Sequence, residues 1–184
     1  MSNDNTAVLD DIFGSDEDYD SATSGNGDRA FMTAGKYKIR IDGIDQGRKP
    51  TDNTPWVVVE CEVIETMEKR TSQNKEGEPL LSLNPGCPSK IWLALSQKNG
   101  SKELDYPGSQ NFARLKSVLA AALSDLDLGL VLTPSELSRK QVLDACRNGG
   151  SDLVKGKVIV VDCTIGKSKQ GTKYIEYKAS ACAQ

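Results

Sequence analysis

The stretch GKYKIRIDGID, residues 35–45, alternates strictly between apolar and polar side chains over its first seven residues. Its large apolar residues fall on one face and its basic residues on the other: Tyr37, Ile39 and Ile41 against Lys38 and Arg40. A period of two with one apolar face is typical of a strand that buries only that face. The stretch therefore predicts a half-buried β-strand that begins the folded part of the chain.

The same period recurs on both sides of a segment with helical spacing. Strands are predicted at residues 56–66, 90–96, 157–165 and 174–179. Between the third and fourth strands, residues 111–123 repeat apolar side chains at helical intervals, and a capping box with proline at the first helical position, residues 133–136, predicts a second helix. Five strands with helices between the third and fourth are the element order of an OB-fold. We therefore predict a mainly β protein, a five-stranded OB-fold-like barrel with a two-helix insertion at about residues 109–150.

Charge is distributed unevenly along the chain. Residues 1–30 hold eight acidic residues and one basic residue, whereas the whole chain holds 26 acidic and 23 basic residues. Residues 31–184 therefore carry 22 bases and 18 acids, a net charge of +4. The first segment is also rich in serine, asparagine and glycine, a composition that buries too little apolar area to offset the entropy of ordering. We predict a disordered acidic tail, residues 1–30, and one nucleic-acid-binding domain, residues 31–184.

Composition argues against several classes of protein. No apolar run approaches the roughly 20 residues of a membrane span, and the start of the chain lacks the apolar region of a signal peptide. The five cysteines include no C-x-x-C pair, and the chain has no histidine, the commonest metal ligand and general base. We expect a soluble protein of a reducing cytoplasm, without cofactor, metal or catalytic activity, and compatible with a homo-oligomer.

Basic residues concentrate where an OB-fold binds oligonucleotides, in the loops after strands one and four and on outward strand faces. The predicted contacts in the loops are Arg48, Lys49, Lys167, Lys169 and Lys173, and those on the strands are Lys38, Arg40 and Lys90. Such a set follows a phosphate backbone through contacts that do not depend on base sequence. For any one of these lysines alone, simple solvation is the better explanation, so the prediction depends on the whole set.

Three aromatic residues occupy positions out of register with the apolar alternation. Trp56 begins the second strand, Trp92 lies in the middle of the third, and Tyr174 begins the fifth. Exposed rings on a basic face stack against nucleic-acid bases. The alternative is that the helical insertion or a dimer partner covers this face, which also carries Val58 and Ile64. In that case Trp92 is an ordinary core residue.

A nuclease is the enzymatic alternative. Glu60 and Glu62 share one strand face, and Asp42 and Asp162 are further candidates for magnesium ligands. Glutamates on a strand face beside lysines are more often solvated surface groups. The glycines at Gly166 and Gly171 also lie in a predicted hairpin rather than in the strand-to-helix turn of a phosphate-binding loop. We therefore expect no catalytic activity.

Four segments together resemble the OB-fold single-stranded-DNA-binding proteins encoded by bacteriophages. They are GKYKI at residues 35–39, the strand at 56–64, the helix at 111–123 and the closing GKVIVVDCTIGKSKQGTKYIEYKA at 156–179. The resemblance implies that the protein coats single-stranded DNA without sequence preference during phage replication or recombination. It also implies contacts from the loop residues named above together with Trp56, Trp92 and Tyr174.

The resemblance extends to one fragment of the acidic segment, although such segments usually lie at the other end of these proteins. Leu9, Asp10, Asp11, Ile12 and Phe13 look like the acidic peptide with apolar side chains that recruits replication or recombination proteins. A further hypothesis is that the tail occupies the basic surface when no DNA is bound. The alternative from another class is an OB-like adaptor or inhibitor that binds a protein and no nucleic acid.

Overall fold

The computed structural model describes residues 29–48, 55–73, 77–95, 110–146, 151–167 and 173–183. The strands are β1 (Ala30–Phe31), β2 (Gly35–Arg48), β3 (Pro55–Lys69), β4 (Ser72–Gln73), β5 (Pro79–Leu80), β6 (Pro88–Ala94), β7 (Val158–Lys167) and β8 (Lys173–Ala181). The helices are α1 (Gln110–Leu123), α2 (Arg139–Cys146) and α3 (Ser151–Val154), with a 3-10 turn at Pro134–Glu136. The main sheet has the order β1-β6-β3-β2-β7-β8, and β4 pairs with β5 in a small second sheet.

The prediction of a mainly β protein is confirmed, and the five predicted strands correspond to β2, β3, β6, β7 and β8. They pair antiparallel with one another. The sixth strand, β1, was not predicted, because two residues are too short to show an alternation. It pairs parallel with β6, so the sheet is mixed.

In the part of the chain that the structure describes, the sheet is not closed into the predicted barrel, because the edge strands β1 and β8 are not paired with each other. Helix α1 contacts β8, which is one edge strand of the sheet, and β6, which lies next to the other edge strand. The Ser117 hydroxyl donates to the carbonyl of Ala179 at 3.3 Å and accepts from its N–H at 3.2 Å. The Asn111 side chain donates to the carbonyl of Ala94 at 2.6 Å. The helix thus covers part of the free edge of β8 and satisfies backbone groups that a neighbouring strand would otherwise pair.

The long strand β2 serves two partners. It pairs with β3 from Gly35 to Arg48 and with β7 only from Gly35 to Arg40. Its register with β3 shifts at three places, and such bulges bend a strand and increase its twist. The alternating apolar residues of these strands form the core together with α1, including Ile39, Ile41, Val59, Cys61, Leu93, Leu119 and Val161. The opposite side of the sheet is called the outer face below.

The second helix begins later than predicted. The capping box at Thr133 and Glu136 is present, but it closes only the 3-10 turn Pro134–Glu136. Leu137 then takes an extended conformation and buries its side chain in the core. Ser138 and Gln141 form a second box, in which the Ser138 N–H donates to Gln141 Oε1 at 2.9 Å and the Gln141 N–H donates to Ser138 Oγ at 3.2 Å. This second box precedes α2 and was missed because the first one is the stronger sequence signal.

Tyr37 links the start of β2 to the segment after β5. Its buried hydroxyl donates to the carbonyl of Ala34 at 3.1 Å and accepts from the N–H of Leu83 at 3.2 Å. We expect Tyr37→Phe to lower the free energy of unfolding by about 1–3 kcal/mol, because the part-buried N–H of Leu83 loses its partner. Urea denaturation measures the loss. Tyr174→Phe is the matched control, since its hydroxyl donates to the partly exposed Glu176, which water can solvate instead. An equal loss of unfolding free energy in both variants would contradict the stabilising role of the buried Tyr37 hydroxyl.

Candidate nucleic-acid interface

Two tryptophans lie on the outer face of adjacent strands. Trp56 of β3 pairs with Ala94 of β6, and Trp92 of β6 pairs with Val58 of β3. Residues two apart on a strand share a face, and diagonal neighbours on paired strands are about 7–8 Å apart, within reach of aromatic side chains. Both indoles are half-buried, whereas Val58 is buried. The two rings therefore occupy one surface and each retains an accessible part.

A glycine supports Trp56 from the neighbouring strand. Gly47 of β2 pairs with Trp56, and a Cβ at Gly47 would collide with the indole. The ring therefore lies directly over the backbone of β2. Gly166 of β7 and Tyr174 of β8 repeat the arrangement, since they pair and a Cβ at Gly166 would lie 2.7 Å from the phenol ring. An aromatic side chain covering a cross-strand glycine thus lies near the end of each of these two strand pairs.

Tyr174 differs from Trp56 in its polar surroundings. The guanidinium carbon of Arg114, on α1, lies 5.4 Å from the centroid of the Tyr174 ring. The Tyr174 hydroxyl donates to Glu176 Oε1 at 3.0 Å, and Arg114 Nη2 lies 3.7 Å from the same oxygen. Backbone and guanidinium contacts thus already hold this ring, which leaves it less available for stacking than Trp56.

The basic residues on the strands differ in how far their charge is paired. Arg40 donates to Glu62 Oε2 at 2.6 Å, and its Nε lies 3.5 Å from Asp42 Oδ1. Arg29, just before β1, donates to Asp42 Oδ2 at 2.8 Å, and its Nε lies 3.7 Å from Glu60 Oε1. Three carboxylates and two arginines therefore form one ion-pair network. It neutralises most of the charge that Arg40 would offer to a phosphate.

The same network bears on the nuclease alternative. Its carboxylates, Asp42, Glu60 and Glu62, each lie within 4 Å of an arginine nitrogen. Asp162 is held elsewhere, by Arg70 Nη1 at 2.5 Å. In the described part of the chain, these side chains do not form a group with the geometry of a metal site. The carboxylates thus stabilise the position of β1 and the sheet through ion pairs.

Three other predicted cations, all lysines, lie on three different strands. Lys90 lies on the outer face of β6, two residues from Trp92, and its Nζ lies 4.7 Å from the centroid of the Phe31 ring. Lys38 is half-buried between Glu65 of β3 and Val160 of β7. Lys167 is exposed at the end of β7. Lys90 is thus the cation that the structure places beside the tryptophans.

Several predicted residues lie outside this description. Residues 1–28, including Leu9 to Phe13, as well as Lys49 and Lys169, lie outside the described residues. Arg48 and Lys173 are described as strand backbone, at the ends of β2 and β8. Arg48 pairs with Pro55, next to the pair formed by Gly47 and Trp56.

Sequence reasoning missed two residues of this surface, Phe31 and Arg114. Phe31 is 58% exposed and lies beside Lys90, because β1 pairs with β6. Its only signal in the sequence is a large aromatic residue just before the first alternating strand. Arg114 is a basic residue within the predicted helix 111–123, and its contact with Tyr174 depends on the docking of α1 against β8.

The cysteines do not supply a nucleophile from the core. Burial raises the pKa of the Cys61 and Cys146 thiols to about 12, and it raises the pKa of the Cys163 thiol further. These groups remain protonated at neutral pH, whereas the thiolate is the reactive form. The three residues act as small core side chains.

Comparison with known proteins does not assign a function. Among the helices that the structure describes, none is long and apolar enough to cross a membrane. No protein-family model matches the chain, and no curated protein matches it. The function is therefore inferred from the geometry and chemistry of the described residues.

Proposed function

We propose that this protein is a non-catalytic, OB-like single-stranded-DNA-binding protein of the kind that bacteriophages encode. The observation that carries the proposal is the pair Trp56 and Trp92 on the outer face, with Lys90 on the same strand as Trp92. Aromatic platforms beside cations bind single strands by stacking and by attraction to phosphate. Arg48, the last residue of β2, pairs with Pro55, which precedes Trp56, and Lys49 follows Arg48 in the sequence.

The order of the strands supports the OB-like part of the proposal. An OB-fold is a partly open Greek-key barrel that binds oligonucleotides on its second and third strands and on the loops between strands one and two and between strands four and five. In that scheme β2, β3 and β6 are the first three strands, and β7 and β8 are the last two. The two tryptophans then lie on the second and third strands. The connections that contain Lys49 and Lys169 are the two binding loops.

The chemistry of this surface favours binding without sequence preference. Every base has a face that stacks on an aromatic ring, and lysine binds phosphate as a point charge. Sequence-specific recognition instead requires side chains that form paired hydrogen bonds with base edges. Two arginines near the outer face, Arg40 and Arg29, are both paired with carboxylates. We therefore propose that the protein coats DNA in replication or recombination rather than marking a site.

Titration of a labelled single-stranded oligonucleotide at rising salt tests the proposal. We expect binding at low salt that weakens steeply as salt increases. Replacing Lys167, Lys169 and Lys173 together by glutamine should reduce the slope of log K against log salt by up to about 2, because each phosphate contact on a single strand contributes about 0.7. The matched control replaces Lys140, Lys155 and Lys157 in the same way, which removes the same charge from α2 and from the segment between α3 and β7.

The result that would overturn the proposal is absence of binding at low salt, or an affinity that salt does not change. A normal slope in the variant of the β7–β8 lysines would instead exclude that loop from the DNA path. Gel shifts with duplex DNA and RNA in parallel would define the class of nucleic acid. A partner retained after nuclease treatment, with no gel shift, would favour the adaptor alternative.

A further inference from the structure

An exposed aliphatic turn follows helix α1. It comprises residues 125–131, DLDLGLV, and is called the aliphatic turn below. Four of its side chains are large, apolar and exposed: Leu126, Leu128, Leu130 and Val131. Leu128 is 81% exposed and Val131 is 58% exposed. Single exposed leucines are ordinary on protein surfaces, whereas a contiguous group of four is typical of a contact surface.

Hydrogen bonds hold the aliphatic turn in one conformation. Asp125 and Leu130 exchange both backbone hydrogen bonds, each at 2.7 Å. The Asp125 carboxylate accepts from the N–H groups of Asp127 and Leu128, each at 3.1 Å. Gly129 has a φ of +68°, which glycine adopts without steric cost. The turn is therefore preorganised, so presenting its leucines to a partner costs little ordering entropy.

An apolar groove lies at the gap between the two edge strands of the main sheet. We call it the seam groove. It has a volume of about 200 Å³, and its apolar and aromatic lining consists of Phe31, Met32, Leu80, Ile165, Tyr174 and Ile175. Phe31, Leu80 and Ile165 are exposed. A dry apolar cavity of about 150 Å³ holds a molecule the size of benzene, so the groove has room for a leucine side chain.

Opposite charges flank the two surfaces. The aliphatic turn carries the exposed carboxylate of Asp127 between Leu126 and Leu128. Beside the seam groove, Lys90 lies over the Phe31 ring, and Lys167 is exposed two residues after Ile165. An acidic turn and a groove flanked by lysines are complementary in charge.

The two surfaces of one molecule lie toward opposite ends of α1. Arg114, in the first half of that helix, contacts Tyr174 at the groove, whereas the aliphatic turn begins just after the last residue of the helix, Leu123. Leu123 lies nine positions after Arg114 in the helix, a rise of about 14 Å. The N–H of Leu132 donates to the buried Ser124 hydroxyl at 2.9 Å, which holds the turn at that end. The turn of one copy is thus placed to reach the groove of another copy rather than its own.

We propose that the aliphatic turn of one copy of this protein docks into the seam groove of a second copy. With its turn and its groove toward opposite ends of α1, each copy contacts two different neighbours in this arrangement. Such heterologous contacts extend into open chains when they do not close into a ring. Each contact is small, so the association is weak and depends on protein concentration. The proposal does not depend on nucleic-acid binding and holds for the free protein.

Sedimentation velocity over about 10 µM to 1 mM protein tests the proposal. We expect the average mass of the wild-type protein to rise with concentration. Leu128→Asp should raise the dissociation constant at least about tenfold, because the docked position would bury an unpaired charge. Ile165→Glu, with Leu80→Glu as a second groove variant, should have the same effect. Leu153→Asp, at an exposed leucine of α3, is the matched control and should associate like the wild type.

A mixture of the turn variant and a groove variant gives the sharpest result. Each variant alone should stay monomeric, but the mixture has one intact turn and one intact groove, so it should form dimers and no longer species. A reciprocal two-fold dimer would be rescued only in part, because the mixed pair keeps one of its two contacts, and its wild type would form no species longer than a dimer. Urea denaturation of each variant confirms that its fold is retained.

Three results would overturn the proposal. They are a wild-type protein that stays monomeric up to 1 mM, a Leu128→Asp variant that associates normally, or a mixture that fails to form dimers. A fourth outcome would assign the groove to another occupant. If deletion of residues 1–28 converts a monomeric chain into an associating one, the N-terminal segment of the same chain fills the groove.

Discussion

Replacing Trp56 and Trp92 by alanine weakens the binding of single-stranded DNA by about 1–3 kcal/mol for each ring, or about 5- to 150-fold, if the outer face is the stacking platform. The slope of log K against log salt should remain unchanged, because the indoles carry no charge and release no counterions. Fluorescence anisotropy of a labelled oligonucleotide at several salt concentrations measures both quantities. The combination of lost affinity and a constant slope separates stacking from phosphate contacts.

The tryptophan experiment needs controls for folding and for ring size. Val58 is buried on the same face, so the double variant requires a denaturation curve to show that β3 and β6 remain paired. In an otherwise wild-type protein, Trp56→Phe keeps an aromatic ring over Gly47 and should retain most of the wild-type affinity for single-stranded DNA. A folded double alanine variant with wild-type affinity would remove both tryptophans from the binding site.

Deletion of residues 1–28 should tighten the binding of single-stranded DNA by about tenfold. A tethered segment reaches an effective concentration of about 1 mM, and a weak polyanion site has a dissociation constant of about 10⁻⁴ M, so the tail would occupy most of the basic surface. The deletion ends at residue 28 rather than 30. Arg29 pairs with Asp42, and Ala30–Phe31 is a strand of the main sheet, so a longer deletion would damage the fold.

A full-length variant with asparagine and glutamine in place of the eight acidic residues of the tail is the control for the deletion. It keeps the length of the segment and should tighten binding like the deletion, since the effect is electrostatic. The difference between the variants and the wild type should shrink at high salt. An affinity that is unchanged or weaker after the deletion would reduce the tail to a solubilising extension.

Local patterns predicted much of the sheet. The alternation at residues 35–45 corresponds to the first part of β2, and the out-of-register position of Trp92 corresponds to a place on the outer face. A period of two is a property of neighbouring residues, so it survives without knowledge of the partner strand. The strand ends were less accurate. β2 continues to Arg48 and β3 to Lys69, because cross-strand pairing extends a strand into sequence that does not alternate.

Contacts between distant residues account for the rest of the candidate site. The pairing of Arg40 with Glu62 and of Arg29 with Asp42 joins residues that are 22 and 13 positions apart. The composition shows that both signs of charge are present, but only the pairing of β2 with β3 and of β1 with β6 shows which arginines are neutralised. The placement of Arg114 over Tyr174 likewise follows from the docking of α1, which no local pattern encodes.

The sequence by itself determined the order of the five long strands along the chain and the side of the sheet that the tryptophans occupy. It also determined the separation of an acidic segment from a basic body. These properties depend on local periodicity and composition. Only the tertiary structure decided that β1 pairs with one edge of the sheet, that α1 covers part of the other edge, and that an apolar groove remains between them. Such features depend on which distant segment pairs with or covers an unpaired strand edge. The packing of the complete core decides this, and no local pattern encodes it.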